Sequence, residues 1–218
     1  MGSRLSISFD LDGTLTHLAF VDGVWNEGLP ALVAASRGIE LDEAVRQCMD
    51  AYRSEGDASI KWYQLSHWLD HFGLDHVDEE ELISGFIPRI RAFEDGLRAV
   101  SSLKDLGYPL ILFSNAPRRF LDKEVQHCGL EAFFDAIISL PDDWGTVKSQ
   151  EEAFVRLGSF AGGDVVHVGD HVRFDCEVPR RAGLQAYHLW RGKGPRRSDS
   201  LPSLDHFLDR IVRGQVQP

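Results

Sequence analysis

Residues 5–16 read LSISFDLDGTLT, and this stretch decides the fold of the chain. Its first five residues alternate apolar and polar side chains, which is typical of a β-strand. The strand pattern ends at Asp10 and Asp12, which are followed by Gly13, so a loop is predicted there. Two carboxylates that leave a buried strand are costly unless they find a partner. They therefore indicate a cation-binding or catalytic site, and the alternative is that both cap local backbone amides.

From about residue 97 onwards, short apolar segments alternate with helical patterns. The predicted strands cover residues 5–9, 109–113, 136–139, 165–168 and 185–189. Strands that alternate with helices of about ten residues indicate a parallel sheet with helices on both faces. We therefore predict an α/β fold with a Rossmann-like, doubly wound parallel sheet.

The stretch between the first two strands has a purely helical pattern. Helical spacing covers residues 41–52, 60–72 and 79–91, with a kink expected at Pro88. This predicts an inserted helical domain at residues 16–93, called the helical insert below. Residues 1–15 and 94–218 would then form the core. Within residues 19–25, the Asp-Gly pair predicts a β-hairpin with a tight turn.

The composition excludes several classes of protein. The chain has 218 residues, of which 34 are acidic and 23 basic, which gives a formal net charge of −11. This balance disfavours nucleic-acid and anionic membrane partners, and the apolar runs are too short to span a bilayer. Cys48, Cys128 and Cys176 are an odd number without metal-like spacing, so we expect reduced thiols in a cytoplasmic protein. The oligomeric state is left open.

Polar side chains follow four of the predicted strands, at the sheet edge where ligands bind in open α/β folds. They belong to Asp10 and Asp12 after the first strand, Ser114 and Asn115 after the second, Lys148 after the third, and Asp170 and Asp175 after the fourth. Carboxylates suit magnesium, and hydroxyl, amide and ammonium groups suit a phosphate. Helix capping or a surface lysine accounts for each segment alone, but their order and placement together are much more specific.

The four motifs resemble those of the haloacid dehalogenase superfamily of phosphohydrolases. The resemblance covers residues 5–16 and about 97–213, and the intervening stretch is similar to the helical cap of that family. It implies that Asp10 is a nucleophile that forms an aspartyl-phosphate intermediate. It also implies that Asp12 protonates the leaving group and later deprotonates the hydrolytic water.

The same resemblance implies a cofactor and a set of phosphate ligands. Magnesium would be held by the Asp10 carboxylate, the Asp12 backbone carbonyl and Asp170, and Asp175 would orient Asp170. The phosphoryl group would be bound by Ser114, Asn115 and Lys148. The third motif departs from the family pattern, because Ser149 follows Lys148 where the family often has proline.

Asp12 selects a branch of this family, because the members that attack carbon without a metal lack the second aspartate. We therefore expect a magnesium-dependent phosphatase that hydrolyses a small phosphorylated metabolite. The alternatives are a phosphomutase, a phosphonate hydrolase that would use Lys61 as a Schiff-base residue, and a non-catalytic binding or regulatory protein.

Overall fold

A five-stranded parallel sheet forms the centre of the computed structural model, which describes residues 5–192 and 196–214. The strands are β1 (Ser6–Phe9), β2 (Leu110–Ser114), β3 (Ala136–Ser139), β4 (Val165–Gly169) and β5 (Gln185–His188). Their spatial order is β3-β2-β1-β4-β5, and every neighbouring pair is parallel. The predicted α/β fold is confirmed. The ends of the predicted core, residues 1–4 and 215–218, and residues 193–195 lie outside the described residues.

Helices cover both faces of the sheet. Side chains alternate across a strand, so Leu110 and Leu112 of β2 pack into one apolar cluster, and Ile111 and Phe113 pack into another with Phe154. Because neither face meets water, β2 is a continuous apolar run rather than an alternating one.

The described residues contain ten α-helices. Their bounds are α1 (Ala19–Gly23), α2 (Leu29–Arg37), α3 (Leu41–Glu55), α4 (Leu65–Phe72), α5 (Glu79–Ser84), α6 (Glu94–Asp105), α7 (Arg118–His127), α8 (Glu151–Ala161), α9 (Val178–Arg181) and α10 (Leu204–Val212). Helices α1 to α5 all belong to the helical insert, and α6 to α10 alternate with the strands of the sheet.

The predicted hairpin at residues 19–25 is wrong. The chain is helical there, and α1 continues through a wide π-helical turn, Val24–Gly28, into α2. Gly23 has a φ of −60°, whereas a tight hairpin turn needs positive φ. Its small size serves packing instead, because a Cβ on Gly23 would overlap the ring of Phe86.

Two predicted helices of the insert are shorter than expected. The pattern over 60–72 divides into a 3₁₀ turn, Ile60–Tyr63, and α4, because Gln64 between them has an extended backbone. The pattern over 79–91 ends as an α-helix at Ser84, and Pro88 lies in a separate 3₁₀ turn.

Two antiparallel connections join the helical insert to the sheet. The Phe93 amide donates to the Leu15 carbonyl at 2.8 Å, and the His17 amide donates to the Arg91 carbonyl at 2.9 Å. The entering and leaving chains are therefore hydrogen-bonded to each other directly after the Asp10–Gly13 loop. No helix in the described part of the chain is long and apolar enough to cross a bilayer.

Candidate active site

All seven residues singled out by their position after a strand line one cavity of about 380 Å³. The cavity lies at the carboxyl edge of the sheet, where β1, β2 and β4 end and the loop after β3 returns. Parallel strands bring their carboxyl ends to the same edge, which explains why residues far apart in sequence meet here. Lys61, the residue on which the phosphonate hydrolase alternative depends, is exposed and lies outside the described lining.

A buried lysine joins two of the aspartates. Lys148 is 2% exposed, and its Nζ donates to Asp10 Oδ1 at 2.6 Å and to Asp175 Oδ1 at 2.7 Å. Burial disfavours the charged ammonium, but Asp10 and Asp175 outweigh burial, so the pKa of Lys148 is raised. The lysine is therefore a fixed positive charge beside Asp10.

His167 on β4 holds Asp175, which is one of the two carboxylates that bind this lysine. The fully buried ring places Nε2 3.0 Å from Asp175 Oδ1 and Nδ1 2.9 Å from the Ser8 hydroxyl. Burial lowers the pKa of His167, so the ring is neutral, and Nε2–H donates to Asp175 while Nδ1 accepts from Ser8. Burial opposes the ionised form of Asp175, but the charge of Lys148 and the bond from His167 outweigh it and lower its pKa.

Thr14 holds the other oxygen of Asp10. Its hydroxyl donates to Asp10 Oδ2 at 2.8 Å and accepts the Asp170 amide at 3.0 Å, so the loops after β1 and β4 are tied together. Gly13 makes this approach possible. It has a φ of +78°, and a Cβ there would overlap the Asp170 carboxylate.

Three carboxylates at this edge form an acidic cluster. Asp10, Asp170 and Asp175 each place one oxygen within 4.8 Å of the others. Burial and the neighbouring charge of Asp10 raise the pKa of Asp170 to about 8, and burial raises the pKa of Asp10 as well. One lysine does not balance these charges, and hard carboxylate oxygens suit a divalent cation such as magnesium, so the residues fit a metal site.

Asp175 has little capacity left to bind a metal or orient Asp170. Its Oδ1 accepts from Lys148 and His167, and its Oδ2 accepts the His171 amide at 3.0 Å. These bonds differ from the expected contact with Asp170. They connect Asp175 to the lysine instead, and leave Asp10 and Asp170 as the members of the acidic cluster with more capacity for a metal.

Asp12 is half-buried and has an oxygen, Oδ1, without a hydrogen-bond partner among the described residues. Burial and the charge of Asp10 raise its pKa to about 7. A carboxyl with such a pKa gives and takes a proton near neutral pH.

Glu124 on α7 is a second buried acid close to Asp12. It is fully buried, and within the described chain neither carboxyl oxygen has a hydrogen-bond partner. Burial, followed by the charge of Asp12, raises its pKa well above the usual range. Both effects favour the protonated form of the Glu124 carboxyl.

The loop after β2 supplies the two remaining predicted residues. The Ser114 hydroxyl accepts the Ala116 amide at 2.9 Å, which curls the chain at the end of the strand. The Asn115 side-chain oxygen accepts the Lys148 amide at 2.9 Å, and its Nδ2 donates to the Tyr63 hydroxyl at 2.8 Å. Asn115 thus connects the loop after β3 to the helical insert.

Sequence reasoning did not single out four side chains at or around the site. Tyr63 lines the cavity, whereas Thr14, Glu124 and His167 act on Asp10, Asp12 and Asp175, which line it. Thr14 stands inside the motif that was singled out, and His167 interrupts an apolar strand with a polar ring, so both left a signal in the sequence. Nothing in the pattern around Glu124 predicts that it reaches the site.

The chain is similar in sequence to a curated bacterial protein. It is 30% identical over 134 residues to the GMP/IMP nucleotidase YrfG of Escherichia coli, an alignment that covers 62% of this chain and 59% of the relative. The match therefore spans less than two thirds of the length of that nucleotidase.

Solved structures share the fold over nearly the whole chain. A phosphatase from Thermococcus onnurineus has a TM-score of 0.83 at 22% identity, covering 97% of this chain and 98% of that one. YfnB of Bacillus subtilis, solved with magnesium, has a TM-score of 0.69 at 16% identity, covering 97% of this chain and all (100%) of the other.

The family comparison agrees with the geometry of the site. Residues 6–183, which include all of the residues described above, match the haloacid dehalogenase-like hydrolases. The match extends from β1 through the helical insert to the end of α9. This chain belongs to the haloacid dehalogenase-like hydrolase family.

Proposed function

We propose that the protein is a magnesium-dependent phosphatase that hydrolyses a small phosphorylated metabolite. The observation that carries the proposal is the placement of Asp10 beside a fixed cation, Lys148, with the protonatable Asp12 two residues away. The relatives named as nucleotidases support hydrolysis of a phosphate ester rather than of a carbon–halogen bond.

In the first step, a carboxylate oxygen of Asp10 attacks the phosphorus atom, and the bond to the leaving-group oxygen breaks. Asp12 gives its proton to that oxygen as it departs. Lys148 balances negative charge on Asp10 and on the transferred group, and Ser114 and Asn115, which line the same cavity, bind the phosphoryl oxygens.

In the second step, Asp12 takes a proton from a water molecule, which attacks the phosphorus of the aspartyl-phosphate. The bond between phosphorus and Asp10 breaks, and inorganic phosphate leaves. Magnesium, held by Asp10, Asp170 and the Asp12 carbonyl, would offset the repulsion between the carboxylate and the phosphate dianion.

The division of the chain into a core and a helical insert supports a small substrate. In this proposal, residues 1–15 and 94–218 act as the catalytic core and residues 16–93 act as a cap that covers the site. Tyr63 of the insert lines the cavity beside Asn115, which supports a covered rather than an open site. The unpaired thiols Cys48 and Cys176 suit a reducing compartment and support a cytoplasmic location.

Hydrolysis of p-nitrophenyl phosphate tests the proposal. We expect turnover with magnesium, loss of turnover with EDTA, and a decrease of at least about 10³-fold in kcat for Asp10→Asn, since the nucleophile is removed. Ser159→Ala, a change at an exposed position on α8, is the matched control for effects of preparing a variant protein.

Two results would contradict the proposal. The first is turnover that survives Asp10→Asn, because the carboxylate would then not be the nucleophile. The second is turnover that is indifferent to EDTA. Mass spectrometry of enzyme quenched during turnover provides a separate readout, because a phosphoryl group should be found on Asp10 and not on the Asp10→Asn protein.

A further inference from the structure

One arginine of the core contacts both the chain that follows Asp10 and the first turn of α6. Arg191 lies shortly after β5, and its side chain is 14% exposed. Its Nη2 donates to the Thr14 carbonyl at 2.8 Å, across 177 positions of sequence. Its Nη1 donates to Asp95 Oδ2 at 2.8 Å. The arginine therefore links the loop after β1 to the start of α6, and the proposed mechanism uses neither contact.

The Thr14 carbonyl matters because the side chain of the same residue holds the proposed nucleophile. The Thr14 hydroxyl donates to Asp10 Oδ2 at 2.8 Å and accepts the Asp170 amide at 3.0 Å. Thr14 is fully buried, so its orientation depends on the groups that bind its backbone and its hydroxyl. A guanidinium is a planar donor of fixed geometry, and it restricts the carbonyl that it binds more than a flexible ammonium does. The orientation of Asp10 is therefore linked to Arg191 through one residue.

Both connections to the helical insert are stacked against the same guanidinium. Cζ of Arg191 lies 3.9 Å from the centroid of the Phe93 ring, and the His17 ring is stacked on Phe93 with centroids 3.7 Å apart and planes at 28°. Two groups this close to one centroid would overlap on the same face, so the Phe93 ring lies between them. His17 is on the chain that enters the insert, and Phe93 is on the chain that leaves it. The arginine thus ends a stack of three groups that joins both connections to the core.

Asp95 fixes the arginine in this position. Its carboxylate is buried, and Oδ2 accepts the Leu204 amide at 2.8 Å in addition to the bond from Arg191. Burial opposes the ionised form of Asp95, but the hydrogen bonds from Arg191 and from the Leu204 amide outweigh burial, so the pKa of Asp95 is lowered. Any movement of the guanidinium away from this place leaves a buried carboxylate or a buried carbonyl without its partner, which is costly.

We propose that Arg191 is a positioning residue, which holds Asp10 in its reactive orientation through Thr14 and couples that orientation to the position of the helical insert. This inference rests on the proposed phosphatase function and adds a residue to it. Arg191 is not among the described residues that line the cavity, so it acts on the reaction through its neighbours. A displacement of the insert that moves Phe93 moves the guanidinium as well, and with it the Thr14 carbonyl.

Steady-state hydrolysis of p-nitrophenyl phosphate by two variants tests the inference. Arg191→Ala should lower kcat by roughly 10- to 100-fold, because a misplaced nucleophile reacts more slowly. It should change KM by less than about three-fold, because the arginine does not line the cavity. Arg191→Lys keeps a positive charge beside Asp95 and so preserves the ion pair if Arg191→Ala folds poorly. Its kcat should still be lower than that of the wild type, since an ammonium lacks the planar fork that binds Asp95 and Thr14 together.

Low millimolar guanidinium chloride separates positioning from loss of structure. A free guanidinium ion that enters the space left in Arg191→Ala should raise kcat by at least about five-fold, whereas sodium chloride at the same concentration should not. Arg210→Ala is the matched control. Arg210 is exposed on α10 and also lies over a ring, with Cζ 5.5 Å from the centroid of Tyr187, but it is not among the described lining residues. This variant should keep the wild-type kcat with and without guanidinium.

A double-mutant cycle tests the route through Thr14. Thr14→Val removes the hydroxyl that holds Asp10 and keeps the backbone carbonyl that Arg191 binds. If the arginine acts through this residue, the loss of kcat in the double variant should be smaller than the product of the two single losses by at least about five-fold. Single losses that multiply in full would overturn the inference, and so would a wild-type kcat in Arg191→Ala.

Amide hydrogen exchange, followed by NMR without substrate, distinguishes failure of the inference from failure of the proposed function. The His17 and Phe93 amides are hydrogen-bonded between the two connections. They should exchange at least about ten-fold faster in Arg191→Ala than in the wild type or in Arg210→Ala. If the wild type hydrolyses no phosphate ester, the phosphatase function fails and these rates decide the coupling: faster exchange supports it, and unchanged exchange overturns it. If the wild type hydrolyses p-nitrophenyl phosphate and Arg191→Ala is equally active, the inference alone fails.

Discussion

At the scale of single residues, the site is organised around one buried cation. Lys148 is held between Asp10 and Asp175, and Asp175 is held in turn by His167. A buried ion pair that loses one partner leaves an uncompensated charge, so each member of this chain of contacts matters to the position of the next. Asp170 differs from Asp175, because it does not contact the lysine through a hydrogen bond in the described structure.

Asp175→Asn and Asp170→Asn should therefore impair the enzyme in different ways. Asp175→Asn should lower kcat by roughly 10- to 100-fold at any magnesium concentration, because it loosens Lys148. Asp170→Asn should raise the magnesium concentration needed for half-maximal rate, and added magnesium should restore part of the activity. Titration of magnesium in steady-state assays of both variants measures the difference. A shifted magnesium dependence in Asp175→Asn would show that this residue binds the metal instead.

Most of the site residues could be predicted from the sequence because each follows a strand. Asp10, Asp170 and Ser114 are placed by backbone alone, once β1, β2 and β4 are recognised as parallel neighbours. The position of Glu124 depends on which face of α7 turns towards Asp12. A charged residue on a helix is usually solvated, so its burial is not visible in the sequence pattern.

At the scale of elements, the helical insert contributes to the site through a short 3₁₀ turn. Tyr63 ends this turn, accepts a hydrogen bond from Asn115 and donates to the Asp57 carbonyl at 3.0 Å. The periodicity of residues 60–72 predicted one longer helix, in which Tyr63 would have been an ordinary core residue. The break at Gln64 is what directs the tyrosine to the loop after β2, and local helical spacing does not encode that break.

Tyr63→Phe should reduce kcat/KM by about three- to ten-fold, because it removes one hydrogen bond that orients Asn115. Steady-state kinetics on p-nitrophenyl phosphate measures this effect. Tyr108→Phe is the matched control, since it removes the same hydroxyl from a tyrosine that packs against the core away from the cavity. Equal activities of wild type and Tyr63→Phe would show that the contact between the insert and Asn115 does not support catalysis.

At the scale of the whole molecule, the carboxylates impose a pH dependence on stability. The pKa values of Asp12 and Asp170 in the folded protein are about 7 and about 8, above the ordinary value of 3.8. Between pH 4 and 8 the folded state thus holds protons that the unfolded state has lost. The contribution of these two carboxyls to stability is therefore greatest below about pH 4 and falls as pH rises through this range.

Without magnesium, we expect the free energy of unfolding to decrease between pH 5.5 and pH 8.5, and with magnesium the decrease should become smaller. The metal binds the folded protein and supplies the counter-charge that the ionised carboxylates lack. Urea denaturation at three pH values, with EDTA or with magnesium, measures both effects. Asp170→Asn serves as the control and should show a shallower decrease and little response to magnesium. A free energy that rises with pH in EDTA would contradict the raised pKa values.

The central position of β1 has a consequence for how the protein folds during synthesis. Ser8 of β1 contacts His167 of β4 across 159 positions of sequence, and Asp10 follows β1 directly. Because β1 precedes β4 along the chain, it must remain unpaired on that side until residues 165–169 have been made. Contacts of such long range close slowly, and an exposed apolar strand is a site of aggregation until they do. Chaperone occupancy of nascent chains should consequently be greatest before residues 165–169 emerge.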